Sequence, residues 1–345
     1  MPHVTTNPWR GTGLGEVVPS DDPTGVRGLL DLCPAHAVTP LVEAAELAAL
    51  AGVASVLVKD ERARMNLGSF KALGAAYAIA REASDLAPDN FGDALTGRTF
   101  VTASAGNHGL SVAVGARVFG ARAVIYLAET VPDAFAERLR DLGAHVVIDG
   151  TDYEASMSAA ARAAVDHGWT LLSDSSWDGY TGLPMLVLEG YLQLAQEAAE
   201  QMEESPTHIL LQAGVGGLAA AIAVYSRKVW GDAPQIIVVE PEAAPALRDS
   251  IKAGRVVDTL GPVSSMGRLD CKTPSLIALN GLARDADLFV TITEEEAARA
   301  MPILADLGLE TTPSGGAGLA ALIAGLELPS EARVWAILSE GPEDG

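Results

Sequence analysis

Cysteine and long apolar runs are scarce in this chain. It has two cysteines, Cys33 and Cys271, in 345 residues, so we expect no disulfide framework, and no Cys/His cluster has zinc-ligand spacing. No apolar run approaches the roughly 20 residues of a membrane span. The N-terminus lacks the basic and then apolar order of a secretory signal. We therefore expect a cytoplasmic protein with no metal site, and a cytosolic location argues against a Cys33–Cys271 pair without deciding it.

Basic residues are also few, with 23 Lys and Arg against 45 Asp and Glu, for a net charge of −22. This surface repels nucleic acids and anionic membranes, whose binding depends on Lys and Arg. Aromatic residues make up only 5% of the chain, whereas hydrophobic residues make up 49%. These proportions predict a folded protein with an aliphatic core. The length predicts two domains.

Strand-like and helix-like segments alternate along the chain. The predicted strands cover residues 53–60, 98–104, 121–127, 144–150, 169–176, 207–214, 234–242 and 333–341. In residues 287–304 a further strand leads into a helix that starts at Thr293. The predicted helices start at residue 70 and cover 107–120, 131–143, 153–168, 186–204 and 217–230. This alternation predicts an α/β fold with two parallel-type twisted sheets and helices on both faces. A turn-rich stretch, residues 173–184, predicts a domain joint.

Lys71 is one of only five lysines and lies in the opening turn of an apolar helix pattern. A surface lysine is the ordinary interpretation of such a residue. However, its neighbours Leu67, Phe70 and Leu73 are apolar, and a half-buried lysine near the positive end of a helix is expected to have a lowered pKa. A neutral amine is what imine formation with an aldehyde requires.

Two segments link a strand to a helix through small residues. The first, Thr102–Gly109, reads TASAGNHG and would leave backbone N–H groups open for a carboxylate. Helix capping is its alternative role. The second, Leu210–Ala221, reads LLQAGVGGLAAA, and its glycine turn can cradle a phosphate. It also fits a dinucleotide fingerprint, with Glu240 near the position of a ribose-binding acid, so an NAD-dependent oxidoreductase is an alternative.

The conjunction of these motifs separates the two interpretations. A dinucleotide-binding protein has no reason to carry both the apolar-flanked lysine and the SAGNH turn, and its fingerprint usually comes early. The chain resembles the fold type II (tryptophan synthase β-like) pyridoxal-phosphate enzymes in the order of its motifs, which is S-x-K, then SAGNH, then a late glycine loop. Within them, the stretches VKDERARMNLGSFKALGAAYA, SDSSWDGYTGLP, SSMGRLDCKTPS and ILSEG most resemble the diaminopropionate ammonia-lyases.

The resemblance implies how pyridoxal 5′-phosphate is held. Lys71 would form an imine with its aldehyde and later move the α-proton. Asn107 would bond the ring oxygen, and Ser339 would face the pyridine nitrogen, although a strand-end hydroxyl can simply cap a turn. The cofactor phosphate would be held by Gly214, Val215, Gly216 and Gly217.

The resemblance also implies a substrate site in a smaller domain, residues 76–182, next to a larger cofactor-binding domain, residues 1–75 and 183–345. The substrate carboxylate would be bound by Ser104, Ala105, Gly106, Asn107 and His108. His108 and Asp174 would be catalytic with Lys71, although core packing and loop capping are their ordinary roles. A homodimer is implied by family habit.

The expected reaction is an α,β-elimination on a small L-amino acid, most nearly diaminopropionate, giving a 2-keto acid and ammonia. Serine or threonine dehydration and β-replacement remain as alternatives. The sequence departs from the ammonia-lyase pattern at Ala105, where that family has an acidic residue and acts on a D-isomer. Ala105 therefore predicts no activity on D-substrates.

Overall fold

The computed structural model describes residues 1–86 and 91–342. The strands are β1 (His3–Thr6), β2 (Leu41–Glu43), β3 (Ser55–Asp60), β4 (Thr99–Ala103), β5 (Arg122–Leu127), β6 (His145–Ile148), β7 (Thr170–Leu171), β8 (His208–Gln212), β9 (Gln235–Pro241), β10 (Leu288–Ile292) and β11 (Arg333–Leu338). The helices are α1 (Val26–Leu30), α2 (Ala45–Ala51), α3 (Lys71–Leu86), α4 (Asn107–Val118), α5 (Asp133–Asp141), α6 (Tyr153–His167), α7 (Gly182–Gln201), α8 (Gly217–Trp230), α9 (Ala246–Ala253), α10 (Leu276–Asp285), α11 (Glu294–Asp306) and α12 (Ala317–Ile323).

The strands form two sheets. The larger has the order β1-β10-β9-β8-β11-β3-β2 and the smaller the order β6-β5-β4-β7. Every pairing is parallel except those of the edge strands β1 and β2, which are antiparallel. The inner strands β8 and β9 are buried along nearly their whole length, as parallel strands covered by helices on both faces must be. The predicted α/β class is confirmed. The two edge strands were not predicted, because each has only three or four partly exposed residues.

Helices α3 and α7 cross closely at two glycines. A Cβ atom on Gly190 would lie 2.5 Å from the Leu73 carbonyl oxygen, and one on Gly74 would lie 2.6 Å from the Tyr191 ring. The absence of side chains at this crossing lets the start of α3 lie against α7. Helix α7 begins at Gly182, so the predicted start at residue 186 is wrong by four residues, and the end of the turn-rich stretch 173–184 is helical.

A buried ion network precedes α3. Arg64 is fully buried and donates to Glu61 at 2.7 Å and to Glu197 on α7 at 2.7 Å. Lys59 contacts Glu197 at 2.9 Å. The next two residues, Met65–Asn66, have positive φ angles of 51° and 58° without being glycine. Residues other than glycine are strained at positive φ angles, so surrounding contacts have to hold Met65–Asn66 in place. The ion network at Arg64 directly precedes this strained segment.

The expected domain division stays a prediction. The smaller sheet lies inside the range 76–182 that was expected for the smaller domain. Within the two expected domains, residues 87–90 and 343–345 lie outside the described residues. Cys33 and Cys271 are free thiols, which answers the question that the sequence left open. Within residues 1–86 and 91–342, no helix is long and apolar enough to cross a membrane.

Candidate active site

Lys71 is the first residue of α3, and its side chain is 23% exposed. Its amine pairs with the Asp174 carboxylate, which is 15% exposed and lies in the loop after β7. The Lys71 Nζ atom also lies 5.6 Å from the centre of the Phe70 ring. The backbone N–H of Lys71 donates to Ser69 Oγ at 3.3 Å. The sequence-predicted lysine and aspartate, 103 residues apart, therefore meet in one half-buried site.

The expectation of a lowered lysine pKa is wrong. Burial acts to lower the pKa of Lys71, but the charge of Asp174 and its hydrogen bond outweigh burial, so the pKa is raised. Conversely, burial acts to raise the pKa of Asp174, and Lys71 holds it below its ordinary value. Sequence reasoning considered only the helix end and the apolar neighbours, whereas the deciding partner comes from a distant loop.

The glycine turn is brought next to Lys71. A Cβ atom on Gly214 would lie 3.0 Å from the Cys271 sulfur, so the turn lies directly against Cys271. Burial and the nearby Asp174 charge raise the pKa of the Cys271 thiol to about 12, while the positive charge of Lys71 acts in the opposite direction. Lys71, Asp174 and the turn therefore share one electrostatic environment.

Gly214 to Gly217 fit an anionic phosphate. Gly216 has φ 98°, which side chains rarely adopt, and Gly217 opens the 14-residue helix α8. The first amides of a helix point outward and carry its partial positive charge. A side chain on Gly216 would obstruct the turn, because its Cβ atom would lie 3.0 Å from Leu247. The residues present can hold the phosphate of pyridoxal phosphate.

Tyr191 was missed by sequence reasoning. It packs edge-on against Phe70, with ring centres 4.9 Å apart, and lies 3.6 Å from where a Gly217 Cβ would be. It therefore contacts both the lysine side and the glycine-turn side of the site. Its buried hydroxyl has no hydrogen-bond partner among the described residues, and burial raises its pKa. Nothing in the helical pattern of α7 distinguishes this tyrosine from a core residue.

The Ser104–His108 loop connects β4 to α4. Ser104 Oγ accepts hydrogen bonds from the N–H groups of Gly106, at 3.3 Å, and Gly109, at 3.1 Å. Ser104 therefore shapes the turn, which is the capping role weighed as the alternative. His108 is buried, and its Nε2 lies 2.9 Å from the Leu172 carbonyl oxygen. Burial lowers the pKa of His108, so the ring is neutral at pH 7 and its Nε2–H donates.

Asn107 points toward the end of β11. Its Nδ2 donates to Glu340 Oε2 at 2.6 Å, and Glu340 also accepts from Thr312 and from Arg268 Nη1, the latter at 3.0 Å. Ser339, next to Glu340, is buried, and its carbonyl accepts from the Phe70 N–H at 3.1 Å. Ser339 and Asn107 thus lie beside the lysine segment. Sequence reasoning missed Glu340 and Arg268, although both lie in segments that carry the resemblance.

An NAD-dependent oxidoreductase would need Glu240 to bind a ribose hydroxyl, but Glu240 has another role in the structure. Glu240 is fully buried and accepts from the N–H groups of Leu247, at 2.7 Å, and Arg248, at 2.8 Å. It therefore caps the start of α9, and burial raises its pKa to about 8. A carboxyl group in this position does not face a ribose.

A cavity of about 500 Å³ opens beside the Ser104–His108 loop. Its wall includes Ala105 on one side and Arg268, Thr311, Thr312 and Ser314 on the other. The volume is suited to a small polar molecule. Ala105 is the residue of the loop in this wall, and neither Lys71 nor residues 214–217 line the cavity. Together, the lysine amine, the glycine turn at a helix start and the amide-rich loop define the site of a fold type II pyridoxal-phosphate enzyme.

The comparison with protein families agrees with this class. Residues 32–340 match the model of the family described as pyridoxal-phosphate dependent enzyme, so the chain belongs to that family. It is 34% identical over 339 residues to the diaminopropionate ammonia-lyase of Escherichia coli K12, covering 89% of this chain and 85% of that protein. It is 31% identical over 291 residues to the mouse L-serine dehydratase/L-threonine deaminase, covering 83% of each.

The fold comparison points to the same group. The structure of the Escherichia coli diaminopropionate ammonia-lyase in complex with D-serine matches with a TM-score of 0.91 and 30% identity, over 100% of this chain and 95% of that one. These results confirm the family and the cofactor class. The roles of individual residues stay predictions.

Proposed function

We propose that this chain catalyses a pyridoxal-phosphate-dependent α,β-elimination on a small L-amino acid, most nearly 2,3-diaminopropionate, giving a 2-keto acid and ammonia. The observation that carries the proposal is the Lys71 amine paired with Asp174 beside the glycine turn. The curated relatives named above act as ammonia-lyase and dehydratase. Both relatives remove a β-substituent, so a lyase fits the site better than an oxidoreductase.

In this proposal Lys71, Asn107 and Ser339 hold the pyridine ring, and residues 214–217 hold its phosphate. The bound cofactor supplies an electron sink that makes the α-proton of an attached amino acid removable. Lys71 Nζ removes that proton, and Asp174, whose pKa is lowered, stays ionised next to Nζ. Ser339 would face the pyridine nitrogen of the bound cofactor, and its hydroxyl group would not protonate that nitrogen as a carboxylic acid would.

Asp174 also supports the choice of a diamine substrate. It already holds one ammonium group, that of Lys71, in a half-buried site. When Lys71 is engaged with the cofactor, the carboxylate can contact the β-ammonium group of diaminopropionate. Ala105 has no acidic group for the opposite face, so we propose that the L-isomer alone reacts.

Two alternatives use the same residues. A serine or threonine dehydratase would expel a hydroxyl group, and the 31% identity to the mouse enzyme supports this option. A β-replacement synthase would add a nucleophile to the same product of elimination. Neither alternative requires a residue that the site lacks.

The test is to supply the purified holoenzyme with L- and D-2,3-diaminopropionate, L-serine and L-threonine, and to measure pyruvate, 2-oxobutyrate and ammonia. We expect pyruvate and two ammonia molecules per L-diaminopropionate. Absence of keto acid from all four substrates would refute a lyase. Keto acid formation that stops when a thiol is added, with a new thioether product, would favour replacement.

We also propose a cytoplasmic homodimer with the two domains described above. Free thiols at Cys33 and Cys271 suit a reducing compartment.

The proposed dimer is supported by two apolar side chains. Leu260 and Val263 are 99% and 87% exposed, as apolar side chains at a subunit contact would be in a single chain. Light scattering on the purified protein measures the mass, and a monomer at micromolar concentration would contradict the dimer.

A further inference from the structure

Arg268 lies against the loop that is expected to bind the substrate carboxylate. Its Nε atom is 3.9 Å from the position of a Cβ on Gly106, the residue that precedes α4. The side chain is 32% exposed and lines the 500 Å³ cavity opposite Ala105. A glycine at position 106 keeps the space between the guanidinium and the loop open.

The segment that carries Arg268 is firmly anchored. Met266 is fully buried and Leu269 is 8% exposed, both within the packing of β9 and α12. The Arg268 N–H donates to Ser314 Oγ at 3.1 Å, and its Nη1 donates to buried Glu340 at 3.0 Å. An arginine fixed at both backbone and side chain presents its charge at a set position, unlike a mobile surface arginine.

The positive charge of Arg268 is unusual in this acidic chain. The chain carries a net charge of −22, yet Arg268 is the charged residue among those lining this cavity. Glu340 contacts one edge of the guanidinium, but a guanidinium has five N–H donors and can contact more than one carboxylate. The cavity wall therefore combines a cation with hydroxyl groups from Thr311 and Ser314.

We propose that Arg268 binds the α-carboxylate of the amino-acid substrate from the side opposite the Ser104–His108 loop. The assignment rests on the proposed amino-acid chemistry at Lys71. It gives the substrate two charged contacts, Arg268 at the carboxylate and Asp174 near the β-ammonium group. Arg268 is a binding and specificity residue here and takes no part in moving protons.

The experiment uses the holoenzyme and two ligands that lack a leaving group, L-alanine and L-alaninamide. Their binding is read from the absorbance of the bound cofactor, so the result does not depend on turnover. Hydrogen bonds to charged groups imply that Arg268→Gln weakens L-alanine binding about 10- to 100-fold. Binding of L-alaninamide, which lacks the carboxylate, is expected to change by less than about three-fold.

The controls separate charge from structure. Arg268→Lys keeps the charge and is expected to restore part of the lost affinity. Arg98→Gln, which removes an exposed arginine paired with Glu82, is expected to leave both ligands unaffected. An equal loss for both ligands, no loss for either, or no absorbance response of the wild type to L-alanine would overturn the proposal.

A failure of the proposed function can be distinguished from a failure of the Arg268 assignment. A holoenzyme that forms no keto acid but loses L-alanine affinity in Arg268→Gln would contradict the lyase and support the carboxylate contact. A loss confined to L-diaminopropionate, with L-alanine unchanged, would place Arg268 at the β-substituent and overturn the assignment.

Discussion

Replacing Asp174 by Asn removes one charge beside Lys71 and keeps the shape of the side chain. In the wild type the two groups are an ion pair, 23% and 15% exposed. Two unit charges about 4 Å apart at an effective dielectric constant of about 20 interact by about 4 kcal/mol. Solvent screening of these partly exposed groups reduces this to about 2.7 kcal/mol, which corresponds to about two pKa units.

The pKa of Lys71 should therefore fall by about two units in Asp174→Asn, and the fraction of neutral amine near pH 8 should rise about 100-fold. The neutral amine reacts with aldehydes, so the variant should take up pyridoxal 5′-phosphate faster at that pH. Turnover should nevertheless fall by about 10²- to 10⁴-fold, because Asp174 no longer assists proton transfer. These two effects have opposite signs, which a general loss of structure would not produce.

Cofactor uptake is followed by absorbance over a range of pH, and the modified lysine is identified by borohydride reduction and mass spectrometry. Asp178→Asn, in the same loop and exposed, is the matched control and should behave as the wild type. An unchanged pH profile of uptake in Asp174→Asn would refute the reasoning, because Asp174 would then not set the charge of Lys71.

The same pair predicts a pH dependence of stability. Lys71 has a raised pKa, so its contribution is complete below its unfolded value of about 10.4 and is lost as pH rises through the folded pKa. Asp174 has a lowered pKa, so its contribution is complete above its unfolded value of about 3.9 and is lost as pH falls through the folded pKa. Urea unfolding should show the wild type more stable than Asp174→Asn between these limits, with the difference shrinking outside them.

Three further changes test other parts of the structure. Lys71→Ala should abolish both the cofactor absorbance band and turnover; cofactor that stays covalently attached to the variant after borohydride reduction and dialysis would contradict its assignment. Gly216→Ala should cost about 1–3 kcal/mol, because φ is 98° and the new Cβ would meet Leu247 at 3.0 Å, and should weaken cofactor affinity in an equilibrium titration. Glu197→Gln should cost about 3–5 kcal/mol in urea unfolding, since it leaves buried Arg64 short of a partner. The pKa of Glu197 is lowered to about 2, so its contribution is present above about pH 4.3 and should decline as pH falls toward 2; an identical acid profile in the variant would count against this.

Much of the fold followed from the local pattern. Helix α8 was predicted with the correct bounds because the segment from Gly217 to Trp230 is rich in helix-forming residues and has no proline and no internal glycine. Predicted strands such as β5 and β9 lie within one or two residues of their observed bounds. The start of α7 was placed four residues late, because Gly182 and Pro184 suggest a turn locally and tertiary packing overrides that preference.

The sequence indicated candidate parts of the site but not its electrostatics. Lys71, the Ser104–His108 loop and the glycine turn were each singled out from spacing and neighbours, and their roles stay predictions. The raised pKa of Lys71 was not, because it depends on an aspartate 103 residues away. Glu340 and Arg268 were missed for the same reason, since single charged residues have no periodic pattern to mark them.

The sequence by itself determined the class of the fold, since strand and helix periods are local and alternate along the chain. It also determined which residue types were available for chemistry, through a scarce lysine and two small-residue turns. Only the tertiary structure decided which charges face one another. Lys71 follows β3 of the larger sheet and Asp174 follows β7 of the smaller sheet, and Arg268 and Glu340 also come from separate segments, so each pair forms only when the folded chain brings those segments together. Coulomb energies depend on distances in space, and separation along the chain does not specify those distances.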